Sequence, residues 1–297
     1  MKSGIRAVIR MVAVRLLALF ALAGLLAAIY LLGVRPHQLR WGATAAELVR
    51  SMPGDGLVRH PTFYATRAIT IDGRPEDIWP WLAQMGYDRA GYYGYDLIEN
   101  PGSAMGIRSA ASILPRLQHP KTGETLPISA VAHMVFGEIE PGSYLIWRAE
   151  ADPPDGVFTW ALYPLDANHT RLISRIRLHY HWTDRRLALD LFTEFADPVA
   201  VPKILQGIKD RVEGHTPEAL SVQAVEIATW LLALAECAAA FWFALSWRRW
   251  GRAWMLALGS GLVLLFALYG HAPVWLSAAL AMSWGAALVL TRKAQPR

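Results

Sequence analysis

Between residues 88 and 99 the chain places Asp88, Arg89, Tyr92, Tyr93, Tyr95, Asp96 and Glu99 close together. Carboxylates beside tyrosine hydroxyls are the parts of a general acid–base pair, provided that burial desolvates them. Asp96 with Tyr93 is the pair expected to serve such a step, and Glu99 is a further catalytic candidate. The same residues fit a structural role equally naturally, with Arg89 bridging Asp96 or Glu99 to hold the loop in place. No other catalytic partner stands at a recognisable spacing.

The remaining chemistry-bearing residues are sparse. His179 and His181 lie two apart on a strand pattern and could share a metal, but the sequence sets no carboxylate or third ligand beside them. No metal site and no cofactor are expected. The nucleophile elbow, the P-loop and the dinucleotide fingerprint are absent, and Gly102-Ser103-Ala104-Met105-Gly106 does not follow a strand. The one cysteine, Cys237, lies in an apolar run, so neither a disulfide nor a CxxC metal site can be built.

The elements that position the loop read as α+β. Residues 62–71 alternate and are rich in aromatic and β-branched types, which predicts a strand. A helix then opens with Pro75, Glu76 and Asp77 in its first turn. Its buried face is Ile78, Trp81, Leu82 and Met85, with Pro80 restricting its length and Gly86 ending it. After a Gly/Ser/Pro-rich passage over 101–122, strands are expected at 124–130, 131–139, 143–150, 156–165 and 170–182, joined by short turns as an antiparallel meander. In the last, Leu172, Ser174, Ile176, Leu178, Tyr180 and Trp182 share one face. Arg171, Arg175, Arg177, His179 and His181 share the other, read as a solvated outer face or a row for anionic lipid head groups. Residues 184–213 close the domain as one helix or a broken pair, restarting at Asp197-Pro198, with Val201, Ile204, Leu205, Ile208 and Val212 buried.

Around this insert the chain is apolar. Residues 16–34 have the length of a membrane span, and 222–246, 253–270 and 273–291 are three further candidates. The expected organisation is an N-terminal transmembrane anchor at 1–35, a linker at 36–60, the folded domain at 61–215, three C-terminal transmembrane helices within 221–292 and a cytoplasmic tail at 293–297. A cleaved signal peptide is the competing reading of the first span, but the run is long and lacks an A-x-A site before Arg35. Basic clusters precede the first span (Lys2, Arg6, Arg10, Arg15), separate the second from the third (Arg248, Arg249, Arg252) and follow the fourth (Arg292, Lys293, Arg297). The positive-inside rule then puts the folded domain on the extracytoplasmic side of a cytoplasmic membrane. Within the second span, 222–246, Glu236 is an intramembrane polar site, either a functional carboxyl or a hydrogen-bonded link to Ser260 or Ser283. Trp247, Trp250 and Trp254 fit an interfacial belt.

Charge narrows the function. Residues 51–220 carry 16 Lys/Arg against 21 Asp/Glu, a net of −5, so the excess behind the overall +5 belongs to the membrane flanks. No nucleic-acid partner is expected.

The stretch PEDIWPWLAQMGYDRAGYYGYDLIEN, residues 75–100, resembles the opening of SRPBCC-type domains. That superfamily holds START lipid-transfer proteins, polyketide cyclases and pollen-allergen-like carriers. Pro75-Glu76, Trp79-Pro80-Trp81-Leu82, Gln84, Gly86, Arg89-Ala90-Gly91, Tyr95-Asp96 and Glu99-Asn100 carry the resemblance. Ile113-Leu114-Pro115 with Gln118, and Leu205-Gln206-Gly207-Ile208-Lys209, extend it over about residues 62–213. It implies a helix-grip fold, a curved antiparallel sheet wrapped on a long C-terminal helix, with an apolar cavity between them for a lipid or polyketide-like molecule. Trp81, Arg89, Tyr92, Tyr93, Tyr95, Trp147, Trp160, Tyr180 and Trp182 are the expected ligand-binding residues. Aromatics that merely fill a core are the alternative for each of them. The expected function is a membrane-anchored binder of a hydrophobic small molecule or lipid. A polyketide-cyclase-like or hydrolase-like enzyme comes second, and a membrane-bound interaction or sensing module third.

Overall fold

The computed structural model describes residues 2–183, 185–246 and 250–293. In chain order, α1 (Lys2–Ala28) continues through a π-helical segment (Ile29–Val34) into α2 (Arg35–Gln38), and α3 (Ala45–Val49) follows. Next come β1 (Phe63–Asp72), α4 (Pro75–Gln84), α5 (Asp96–Glu99), β2 (Thr125–Pro127), β3 (His133–Glu140), β4 (Tyr144–Arg148), β5 (Gly156–Pro164) and β6 (His169–Leu178). Four long helices complete the chain: α6 (Leu187–Val212), α7 (Leu220–Ser246), α8 (Trp250–Tyr269) and α9 (Val274–Lys293). They belong to two compact units, Met1–Pro36 with Ala224–Arg297, and His37–Gln223.

In the 37–223 unit, six strands among the described residues form one antiparallel sheet in the order β1-β6-β5-β4-β3-β2. The meander from β2 to β6 follows the alternation of the sequence. β1 then closes the far side by pairing along its whole length with β6, from Phe63 opposite Leu178 to Asp72 opposite His169. α4 begins with Pro75 at its first position, and the Asp77 carboxylate accepts the Arg74 backbone N–H at 3.1 Å. The inner face of the sheet carries Phe63, Ile71, Phe136, Leu145, Trp147, Trp160, Leu172 and Ile176, packed against Ile78, Trp81 and Leu82 of α4 and Val201, Ile204, Leu205 and Ile208 of α6. This is the core.

Two expectations change here. The closing helix does not restart at Asp197-Pro198. α6 runs unbroken through Pro198 and Pro202, and Asp197 is not a cap: its carboxylate meets the Arg67 guanidinium of β1 at 2.7 Å, out of solvent. Nor is 37–60 a free linker. Leu39 and Trp41 accept the Thr66 and Ala68 backbone N–H groups at the open edge of β1. Met52 packs with Ala68, Ala161 and Ile173, and Val58 with Ile146 and Val157, on the outer sheet face.

This strap buries the arginine row that was expected in solvent. Arg175, 2% exposed, donates to the Arg50 and Glu47 carbonyls, to Thr66 Oγ1 and to Asp55 at 2.8 Å. Arg171 pairs with Glu47 at 2.7 Å and donates to the Gly42 carbonyl, and Arg177 holds the Val58 carbonyl. Burial works to raise the Glu47 pKa, but Arg171 and the Thr44 N–H together hold it below the usual carboxylate range. Within the strap α3 opens with a capping box, the Thr44 hydroxyl accepting the Glu47 N–H and the Glu47 carboxylate accepting the Thr44 N–H. Alternation located the arginines correctly on the outer face; what covers that face is a long-range fact.

In the other unit, three helices among the described residues are long and apolar enough to cross a membrane: Ile9–Gln38, Leu220–Leu245 and Val274–Thr291. Ala253–Tyr269 is a shorter apolar helix, so the count by length is three rather than four. Small residues bring these helices together: Ala240, Ala244, Ala253 and Ala257 are buried with Leu22 and Leu288. Glu236 is not linked to either expected serine. Its carboxylate lies against Gly285, where a Cβ would have no room, and Oε2 has no hydrogen-bond partner among the described residues. Ser260 instead accepts the Trp284 indole N–H at 2.8 Å, and Ser283 is exposed. Trp247, Arg248, Arg249 and residues 294–297, which carry part of the expected belt, basic clusters and tail, lie outside the described residues.

Candidate functional site

The loop that follows α4 is locked rather than poised. Tyr93 sits at φ 67°, a backbone conformation that costs a β-carbon residue energy and must be held by its surroundings. Its backbone N–H donates to Ser109 Oγ at 3.0 Å, and its hydroxyl donates to the Trp81 carbonyl at 3.0 Å. The Arg211 guanidinium covers its ring at 4.6 Å, and its carbonyl presses on Gly207 of α6, where no Cβ would fit. Asp96 accepts Ser109 Oγ at 2.5 Å and Asn100 Nδ2 at 3.1 Å. The expected Asp96–Tyr93 proton pair is therefore not formed: both groups already have other partners, and burial pushes the Tyr93 hydroxyl pKa up.

Arg89 does not reach Asp96 or Glu99. It donates to the Ala83 carbonyl at 2.9 Å, lies over the Phe136 ring at 5.2 Å and faces Glu124 at 3.6 Å. Glu99 is different from its neighbours. Both carboxylate oxygens are out of solvent, tucked against the Gly94 backbone, and the Gly94 and Tyr95 N–H groups beside them make no well-aligned hydrogen bond. Burial, and then the nearby Asp96 charge, raise its pKa to about 8. It is the loop carboxyl that stays protonated at neutral pH.

Beyond the loop lies the space between sheet and helix that was expected to be a cavity. Aromatic side chains pack within it. Trp147 and Trp160 have ring centroids 5.5 Å apart, and Tyr92 meets Trp147 edge-on at 6.3 Å while its hydroxyl donates to the Ile128 carbonyl. Trp81 packs edge-on against Tyr93 at 5.7 Å. Tyr95, also buried, lies under the Lys203 ammonium at 5.0 Å. Trp182 stays outside this group: it is 53% exposed and at positive φ, and its ring meets the half-buried Tyr180 ring at 4.9 Å. An open cleft of 420 Å³ lies on the opposite, outer face, between the strap at Gly54 and Leu57 and the sheet at Gly137, Ile146 and Arg148.

At one end the interior is polar, and this was missed. Asp190, Glu194 and Asp197 are buried on α6, turned toward the sheet. Asp190 accepts the His181 and Trp182 backbone N–H groups, Glu194 accepts the Tyr180 hydroxyl at 3.1 Å and Asp197 pairs with Arg67. Burial raises the Asp197 pKa, with Arg67 opposing it. One rung of the sheet sets Arg67 beside Ser174 and Ser174 beside Trp160. The signal was present: strand alternation puts Arg67 with Phe63, Ala65, Ile69 and Ile71. Asp190, Glu194 and Asp197 fall at i, i+4 and i+7, on the stripe that Val201 and Ile204 continue. Of the two histidines, His181 pairs with Asp155 at 3.0 Å, and no group of three metal-ligating side chains converges among the described residues.

No family model matches the chain, and no curated protein matches it. Solved structures do. It is similar to the protein MLL2253 from Mesorhizobium loti at 16% identity and a TM-score of 0.32, over 52% of this chain and 99% of that one. It is similar to the polyketide-cyclase-like protein Cgl2372 from Corynebacterium glutamicum at 12% identity and a TM-score of 0.32, over 52% and 97%. A conserved protein of unknown function from Enterococcus faecalis, EF2215, matches at 16% identity and a TM-score of 0.30, over 52% and 73%.

Proposed function

We propose that the 37–223 unit is a helix-grip carrier that admits an apolar small molecule or lipid between its sheet and α6. The apolar helices hold it at a cytoplasmic membrane, α8 crossing as a fourth span, with the carrier unit on the extracytoplasmic side. One observation carries the reading. The inward stripe of α6 is apolar over Val201, Ile204, Leu205 and Ile208 but acidic over Asp190, Glu194 and Asp197. In that first half the apolar residues face outward instead: Leu187, Leu191 and Phe192 are exposed, Phe192 by 63%. A cover with its polarity reversed gains little from burying its inner face and does not shut the interior permanently. Its lifting would open the space beside Trp160 and Ser174.

The test is extraction of the full-length chain, purified in mild detergent, followed by mass spectrometry of what it carries. A reproducible apolar ligand is expected. A chain that carries nothing, and retains no member of a lipid and polyketide panel, would remove the carrier reading in favour of an interaction module. Catalysis is the second reading, favoured by Glu99 alone, a buried carboxyl whose pKa burial raises to about 8. It requires Glu99→Gln to abolish turnover of the extracted ligand while sparing its binding.

A further inference from the structure

We propose that the indole N–H groups of Trp147 and Trp160 are a two-donor site for one acceptor oxygen, so that the ligand is a neutral apolar ketone or ester rather than a hydrocarbon or a carboxylate. This rests on the carrier reading above. Trp147 is 3% exposed and Trp160 1%, and neither Nε1 has a hydrogen-bond partner among the described residues. Buried polar groups are nearly always paired, and two adjacent exceptions call for an account. The two residues stand on neighbouring strands of the inner face: Trp147 opposes Phe158 and Trp160 opposes Leu145, which makes them diagonal neighbours.

An indole N–H donates and cannot accept, so whatever completes these groups must bring lone pairs. A carbonyl oxygen has two and can take both donors. Ser174 Oγ, 1% exposed and likewise unpartnered among the described residues, lies across the strand pair from Trp160 and supplies a third contact of either sense. Charge on the Ser174 side of the site opposes a carboxylate. The cation nearest along this rung, Arg67, is already neutralised by Asp197 at 2.7 Å, with Glu194 and Asp190 farther along the same helix stripe. An anion there would meet net negative charge in a dry interior. A neutral acceptor on an apolar frame meets neither cost.

The experiment compares 2-acetylnaphthalene with 2-isopropenylnaphthalene, in which a methylene replaces the carbonyl oxygen at nearly constant shape. Each is equilibrated with the full-length chain in nanodiscs, and retention by empty nanodiscs is subtracted. The acetyl compound is expected to bind about tenfold more tightly, the effect of one to two neutral hydrogen bonds. Its carbonyl infrared stretch should move to lower frequency when bound. Trp147→Phe with Trp160→Phe should abolish the preference between the two compounds. Equal retention of the two compounds by the wild-type chain, or an unshifted stretch, would overturn the two-donor site and leave the carrier reading standing. A preference that survives the double substitution would also overturn it. Retention of neither compound would count against the carrier reading itself.

Discussion

Arg175 shows how much a single buried side chain can organise. Its guanidinium holds two strap carbonyls, a threonine hydroxyl and the Asp55 carboxylate, with almost no exposure to water. Replacing it with methionine leaves the strap carbonyls dry and takes from Asp55 its 2.8 Å partner, with Arg177 remaining at 3.7 Å, at a cost of about 3–5 kcal/mol. The thermal midpoint of the full-length chain in detergent should fall accordingly, and Arg175→Lys should recover only part of the loss, because an ammonium cannot span the same acceptors. Glu99 makes a prediction about pH. Burial raises its pKa from 4.5 to about 8, so between those values the folded chain keeps a proton that the unfolded chain has released. Its contribution to stability is therefore complete below pH 4.5 and is lost as pH rises toward 8. Glu99→Gln should remove that slope, raising the midpoint relative to wild type at pH 8 but not at pH 4; parallel pH curves would contradict the assignment. At this scale the sequence showed which residues gather in the loop and not what they bond. Tyr93 and Asp96 stand close in sequence, yet Ser109 and Trp81 take their hydrogen bonds and Arg211 covers the Tyr93 ring, all from outside the loop.

Among the elements, α6 carries two different faces in one helix. Its second half is pinned by Val201, Leu205 and Ile208 in the core, by Lys209 on the Thr70 carbonyl and by Gly207 against Tyr93. Its first half has acidic residues inward and apolar residues outward. Backbone amides of 188–196 should therefore exchange with deuterium well before those of 203–211, read by mass spectrometry of the full-length chain. Uniform protection along the helix would argue that the first half does not open. The strands were legible in number and order, and 156–165 almost to the residue, because alternation is a local pattern; the last one ends at Leu178, four residues short of the expected 182, and the first of the meander is only Thr125–Pro127. The strap was not. Its prolines and glycines read as a linker, and nothing local reveals that Arg171, Arg175 and Arg177, more than a hundred residues away, satisfy its carbonyls. The full-length pairing of β1 with β6 was hidden for the same reason.

For the whole molecule, the arrangement of basic residues predicts on which side of the membrane the 37–223 unit lies. In a Cys237→Ser background, Val131→Cys, at a position 95% exposed, should react with a membrane-impermeant maleimide added to intact cells. Labelling only after lysis would reverse the orientation. The strap has a consequence for how the chain avoids its neighbours. A sheet edge with free N–H and C=O groups is a template for pairing with other chains. Here one edge is β2, three residues long, and the other is β1, whose Thr66 and Ala68 amides are taken by Leu39 and Trp41 and whose Thr70 carbonyl is taken by Lys209. A chain begun at residue 61, where the sequence pattern alone would place the first strand's domain, would lose Leu39 and Trp41. It would bare a ten-residue strand edge together with the arginines beneath the strap, and would be expected to aggregate rather than stay dispersed. The stretch that looks most dispensable in the sequence is what keeps this sheet single.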